Sequence, residues 1–335
     1  MRAATWVVDK LGLAIEWMNA DAGWGAWQQH GKALPEVTRK AIGFCDCCLV
    51  GPVASLPHVL GYTSVFRDLA EWKSLDARLV RCRGCHGIRG EEGWLEPDLA
   101  VWIGIAEAHR DGIEFSAIPE ELIRLHRGLD KYEGKEGAVS LRILTRENCR
   151  RLCERCCRWS EKQGRRKIAA VHRANLLRAT DGLFLEEFRG VMRDHPRLAA
   201  QETTAPAAAM ALLRAPAEHD VLLGIGEAGD WTAALAAQIA GGPALTGVAD
   251  LGDDFAVFHP MHGSAPDFPR RDSANPIALL RAAGLMLDWL GESAAAQRLE
   301  GGIAGALITH KIRTPDLGGA ATAIEMAEEI VRKMQ

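Results

Sequence analysis

Short apolar runs alternate with longer amphipathic windows along this chain, and that alternation constrains the fold more than any other sequence feature. Cys47–Val50, Leu99–Ile103, Lys167–His172 and Val221–Leu223 have the length and residue types of buried strands. Between and after them, Phe66–Lys73, Arg146–Gln163, Phe184–Asp194, Ile277–Leu290, Ala294–Leu307 and Ala320–Met334 carry helical spacing. Gly318-Gly319 stops one element before the last helix starts. Strands that alternate with helices pair in parallel and are covered on both faces, so the expected class is α/β, layered on a largely parallel sheet.

The chain has 335 residues, 48% of them hydrophobic, enough for one large domain or two intertwined ones. A net charge of -4 gives no reason to expect a nucleic acid or a membrane surface as partner. Arg150-Arg151 and Arg165-Arg166-Lys167 read as solvated helix faces and loop ends. Asp9, Lys10 and Glu16 break up Ala3–Met18, whose spacing is that of an amphipathic helix running into a strand, not of a signal peptide. No segment is long and apolar enough to span a bilayer, and a cytoplasmic location is the default expectation.

Nine cysteines cluster as Cys45–Cys48, Cys82–Cys85 and Cys153–Cys156, with Cys47, Cys149 and Cys157 nearby. Paired CxxC motifs can supply thiolates to zinc. Against that, Cys47 and Cys48 lie in an apolar run, and Cys149, Cys153, Cys156 and Cys157 recur at helical spacing. Free cysteine packs as a small hydrophobe, so core filling is the preferred reading. Cys85-His86 beside Cys82 is the best remaining ligand cluster, with only three donors. His30, His58, His126, His195, His219 and His310 lack ligand spacing, and tryptophans such as Trp24, Trp27, Trp72, Trp94 and Trp102 read as core.

Four segments carry a family resemblance: Gly252-Asp253-Asp254, His262-Gly263-Ser264-Ala265-Pro266-Asp267, Ala274-Asn275-Pro276 and Arg313-Thr314-Pro315-Asp316-Leu317-Gly318-Gly319. Together with Val171-His172-Arg173-Ala174-Asn175 and Thr180-Asp181-Gly182, they resemble the isocitrate/isopropylmalate dehydrogenase family. The resemblance implies two interleaved α/β domains, the first from residues 1–75 and 241–335 and the second from 76–240. It implies a dimer joined through the second domain, with a β clasp near Ser116–Val139. It also implies a first strand and a glycine-rich turn, and this chain opens inside the helix that would follow them.

The same resemblance implies an NAD-dependent decarboxylation at a Mg²⁺ or Mn²⁺ ion, and there the residues depart from the pattern. The metal motif reads Gly229-Asp230-Trp231-Thr232-Ala233-Ala234, so Asp230 is the one family ligand retained and Ala234 replaces the second. The aspartate lent by the partner falls at Pro206, or at Glu202 with local slippage. The proton-transfer lysine and tyrosine correspond to Arg173 and Arg110, whose guanidinium groups stay protonated. Three substrate arginines fall at Ala70, Val80 and Ile103, although Arg67, Arg78, Arg81 and Arg83 lie close by. A family glutamate has become His259.

The adenosine-side positions match, at His262, Gly263, Ser264, Ala265, Asp267 and Asn275, with Asp267 placed to favour NAD. The expectation is a homologue without the family's catalysis, acting through an anionic ligand, as a homodimer or as a heteromer with an active family member. The alternative is an active NAD-dependent dehydrogenase on a diverged 2-hydroxy acid. A metal or redox sensor built on the cysteines is a third reading.

Overall fold

The computed structural model describes residues 1–54, 59, 61–84, 97–106, 113–265, 271–309 and 311–334. Arg110, Asp267, Cys85, His86, Trp94, His58 and His310 therefore lie outside the described residues. Ten strands are described: β1 (Cys47–Leu49), β2 (Ala77–Arg83), β3 (Asp98–Gly104), β4 (Glu114–Phe115), β5 (Val139–Ser140), β6 (Lys167–His172), β7 (Ala199–Thr204), β8 (Val221–Ile225), β9 (Gly247–Leu251) and β10 (Ala256–Pro260). The first helices are α1 (Arg2–Asp9), α2 (Trp24–His30), α3 (Glu36–Ile42), α4 (Val65–Trp72) and α5 (Glu120–Leu125). Then come α6 (Arg146–Lys162), α7 (Thr180–Met192), α8 (Ala205–Arg214), α9 (Gly226–Ile239), α10 (Ile277–Trp289), α11 (Ser293–Ile308) and α12 (Ala323–Met334).

Eight strands form one sheet in the order β1-β10-β9-β2-β3-β8-β6-β7. β4 and β5 form a separate antiparallel pair at the ends of the segment where the clasp was expected. The large sheet is mixed, which corrects the expectation of a largely parallel one. β3, β8, β6 and β7 run parallel, and so do β1 and β10, but β10-β9, β9-β2 and β2-β3 are antiparallel. The unforeseen β2, β9 and β10 supply these antiparallel pairs. β2 and β9 place Arg78, Arg81 and Asp250 within apolar runs, which masks the strand pattern. Residues after α1 form no strand, so the helix-to-strand reading of Ala3–Met18 holds only for its helix. α12 begins at Ala323, three residues later than spacing suggested.

Each face of the sheet has its own core. One face holds Leu79, Trp102, Ile168, Leu223 and Phe258, covered by α1, α6, α7, α10, α11 and α12. α6 shows how local pattern makes this layer. Thr145 caps it by accepting from Asn148 N, and Cys149, Cys153, Cys156 and Cys157 form its buried stripe. Burial pushes the Cys157 thiol up to about 12 and raises Cys153 and Cys156 well above the usual thiol range. Native protein should accordingly leave all four thiols unlabelled by iodoacetamide at mildly alkaline pH, and labelling should appear on unfolding. Rapid native labelling, read by mass spectrometry, would contradict the packing. These burials support the core-filling reading, whereas the tryptophans divide: Trp102 is buried, and Trp72 and Trp231 are exposed.

The opposite face carries two separate clusters. Val80, Val101, Ile103, Val171, Leu222 and Val248 pack under α8 and α9, and Val257 packs with Leu69 and Ile42 under α3 and α4. α9 approaches the sheet closely because its Gly229 faces Gly224 of β8. A Cβ on Gly229 would lie 2.9 Å from Ile103 Cγ2, which only glycine avoids. That approach sets the height of the next residue, Asp230. No described helix is long and apolar enough to cross a membrane.

Candidate functional site

The gap between the two clusters on this second face lies over β2 and β9, between Val80 and Val248 of one cluster and Val257 of the other. Its floor is charged. Arg78 of β2 and Asp250 of β9 are register partners, and His259 of β10 is on the same face because Val257, two residues before it, pairs with Asp250. Arg78 Nε and Nη2 donate to the two carboxylate oxygens of Asp250 at 2.6 and 2.7 Å. Asp250 is 1% exposed. His259 Nε2 stands 3.4 Å from Asp250 Oδ2, Nδ1 stands 2.9 Å from Pro260 O, and the imidazole stacks on Phe66 with centroids 4.0 Å apart.

Burial alone would raise the Asp250 carboxyl, but the charge and hydrogen bonds of Arg78, with a smaller contribution from His259, hold it far below the usual carboxylate range. Burial would likewise lower the Arg78 guanidinium; the charge of Asp250 and its hydrogen bonds, and then the charge of Asp230, raise it instead. Asp230 therefore sits in the field of a fixed guanidinium. Arg81 and Arg83 belong to the other end of β2, where Asp98 takes hydrogen bonds from Arg81 and Arg165. Burial would raise the Asp98 carboxyl, and those arginines bring it down to about 2.

The residues aligned with family site positions are placed as follows. Ile103 and Val80 are buried in the core, Ala70 packs at the edge of the α3–α4 cluster, and Arg67 is exposed. Of the nearby arginines, Arg78 alone lies at the cleft end of β2. Asp230 is half-buried in the second turn of α9, and Ala234, one turn later, is exposed. Pro206 is exposed in the first turn of α8, and Glu202 is engaged bidentately by Arg189 at 2.7 and 2.7 Å. Among the described residues no three His, Cys, Asp or Glu side chains converge on one point as metal ligands would. Arg173 follows β6; its backbone N–H donates to Asp181, a buried carboxylate that also accepts from Arg142.

The loop after β10 is tied to the segment after β1 through Ser264 N donating to Val53 O at 3.1 Å. His262 Nδ1 contacts its own neighbour, Gly263 O, and Ala265 takes a left-handed φ of 41°. Asn275 accepts from Ile277 N at the start of α10 and donates to Asp316, which also accepts from Thr314. Its amide thus joins two loops of the frame. Gly319 is required there, because a Cβ would meet Arg313 O at 2.0 Å. Sequence reading singled out Arg78 and His259 separately and missed Asp250. Its signal was a lone acid within the apolar run Gly247–Leu251.

A mixed eight-stranded sheet covered by helices on both faces carries these residues, the frame of an α/β protein. The chain belongs to the isocitrate/isopropylmalate dehydrogenase family, whose profile matches residues 101–331. It is 33% identical over 340 residues to a 3-isopropylmalate dehydrogenase of Methanothermobacter thermautotrophicus, covering 100% of this chain and 94% of that one. It is 31% identical over 323 residues to a mitochondrial NAD isocitrate dehydrogenase regulatory subunit of Dictyostelium discoideum, covering 96% and 84%. Among solved structures, an isocitrate dehydrogenase from Methylococcus capsulatus superposes with a TM-score of 0.89 at 29% identity, covering 99% and 94%.

Proposed function

We propose that this chain is a member of the family that has left the metal-dependent decarboxylation and acts by binding a ligand or in a regulatory role beside an active relative. What supports this reading is the setting of Asp230, near enough to Arg78 for its charge to raise that guanidinium, while the aligned positions of its fellow ligands are Ala234 and Pro206. A hard divalent ion needs several oxygen donors, and these residues do not fit one. Without an ion or an equivalent, the enolate left by decarboxylation lacks the charge stabilisation that dominates such a barrier. Arg173 and Arg110 bear permanent positive charge, so neither passes a proton to that enolate.

NAD is the proposed dinucleotide, bound at His262, Gly263, Ser264, Ala265, Asp267 and Asn275. The proposed association surface is the outer face of α8 and α9, where Pro206, Met210 and Leu213 lie beside Trp231 and Ala234, all exposed. A second copy, or an active family member, covers it; the proposed division is 1–75 with 241–335 against 76–240, and the β4–β5 pair is the clasp. The family is represented by proteins named for catalysis and by one named for regulation, so membership is compatible with either role.

The test is NADH formation from isocitrate, 3-isopropylmalate or tartrate with Mn²⁺. No turnover above background is expected, with NAD binding retained. Sustained NADH production would establish the second reading, an NAD-dependent dehydrogenase on a diverged 2-hydroxy acid, for which the buried His259–Asp250 contact is the supporting feature.

A further inference from the structure

A cavity lies on the other side of α4 from His259. Phe66 stacks on His259, and Asp68, two residues on and so about 200° around the helix, lines a space of about 340 Å³ between α2, α3 and α4. Lys32, Glu36 and Arg39 line it too, with Trp27 as its aromatic surface. Two of these charges are positive and two negative, yet none of the four forms an ion pair among the described residues. Glu36 and Arg39 stand three residues apart on α3, a spacing at which opposite charges ordinarily meet. Arg39 instead lies over Trp72, its Cζ 5.4 Å from the ring centroid. Asp68 Oδ2 accepts from the Thr63 hydroxyl at 3.1 Å, and Oδ1 accepts from no described residue. Gly31 ends α2 with a left-handed φ of 67°, the turn that brings Lys32 to the cavity.

We propose that this cavity binds a free α-amino acid with an apolar side chain. Lys32 and Arg39 meet its carboxylate, and Glu36 and Asp68 meet its ammonium group. One zwitterion thus completes, through charge-assisted hydrogen bonds, four charges that the chain leaves unpaired. Trp27 and the buried Leu34 offer the hydrocarbon contact that the side chain of the amino acid needs. The volume falls at the lower end of the ~300–1,000 Å³ typical of small-molecule sites, a size for a metabolite rather than a dinucleotide. None of these residues belongs to the dinucleotide loop or neighbours Asp230 in sequence, so the inference stands whether or not the chain turns over a hydroxy acid.

The experiment is calorimetric titration of the purified full chain with phenylalanine, methionine and valine, each beside its deaminated acid and its decarboxylated amine. At least one amino acid is expected to bind roughly 10-fold or more tightly than either truncated form, because each form has lost one charged end. Arg39→Met and Asp68→Asn should each weaken that binding roughly 10-fold. A cooperative melting transition checks that both variants fold; Lys32→Met and Glu36→Gln, at exposed positions, serve if they do not. No binding of any of the three amino acids, binding matched by a truncated form, or binding undiminished in the folded variants would overturn the proposal.

Discussion

Asp250→Ala is expected to cost ~3–5 kcal/mol of unfolding free energy, the range for breaking a buried ion pair by removing one partner. The substitution leaves the Arg78 guanidinium, held by Asp250 at 2.6 and 2.7 Å, without its bidentate partner in a buried setting. Replacing both, as Arg78→Met with Asp250→Asn, should recover much of that loss because no uncompensated charge remains. The pH dependence follows from the direction of the Asp250 shift. Its folded carboxyl lies far below the unfolded value of about 3.9, so its contribution is complete above that value and fades as the pH falls toward the folded one. Urea midpoints of the wild type should therefore drop faster than those of the double variant below about pH 4. A single variant as mild as a surface substitution would mean that the pair is not buried as described.

Trp231→Glu combined with Met210→Glu should convert the proposed dimer to monomers, weakening association by more than ~100-fold, since burying like charges across an interface costs several kcal/mol. Trp231 is 61% and Met210 73% exposed in the single chain, so the monomer itself has little to lose. Sedimentation equilibrium reads the outcome directly. A variant that stays dimeric would place the association surface elsewhere, and a wild type that is monomeric until mixed with an active family member would favour the heteromer. Pro206 and Ala234 both lie exposed on this pair of helices.

Much of the framework was readable in one dimension because short-range physics governs it. The cysteine stripe of α6 follows from 3.6-residue spacing, and the Thr145 cap from the residue before it. The family motifs fell at element boundaries: Asp230 in the second turn of α9, His262–Ala265 directly after β10 and Asn275 just before α10. The reading failed where charges sit inside strands. β2 and β9 hold Arg78, Arg81 and Asp250, so the apolar run that signals a buried strand is interrupted, and the mixed sheet they create was not foreseen. Arg78 was one of four neighbouring arginines, and strand alternation alone did not say which of them reaches the cleft.

By itself, then, the sequence determined the order of elements, the helical faces that must be buried and the family to which the chain belongs, because propensity, capping and periodicity act over a few residues. Only the tertiary structure decided that Arg78 meets Asp250, 172 residues away, and that His259 joins them. That choice depends on which strands become neighbours and on which side of the sheet each residue falls. A charge in a strand is tolerated only where such a neighbour neutralises it, so the partner had to be found in space before the cleft floor could be recognised.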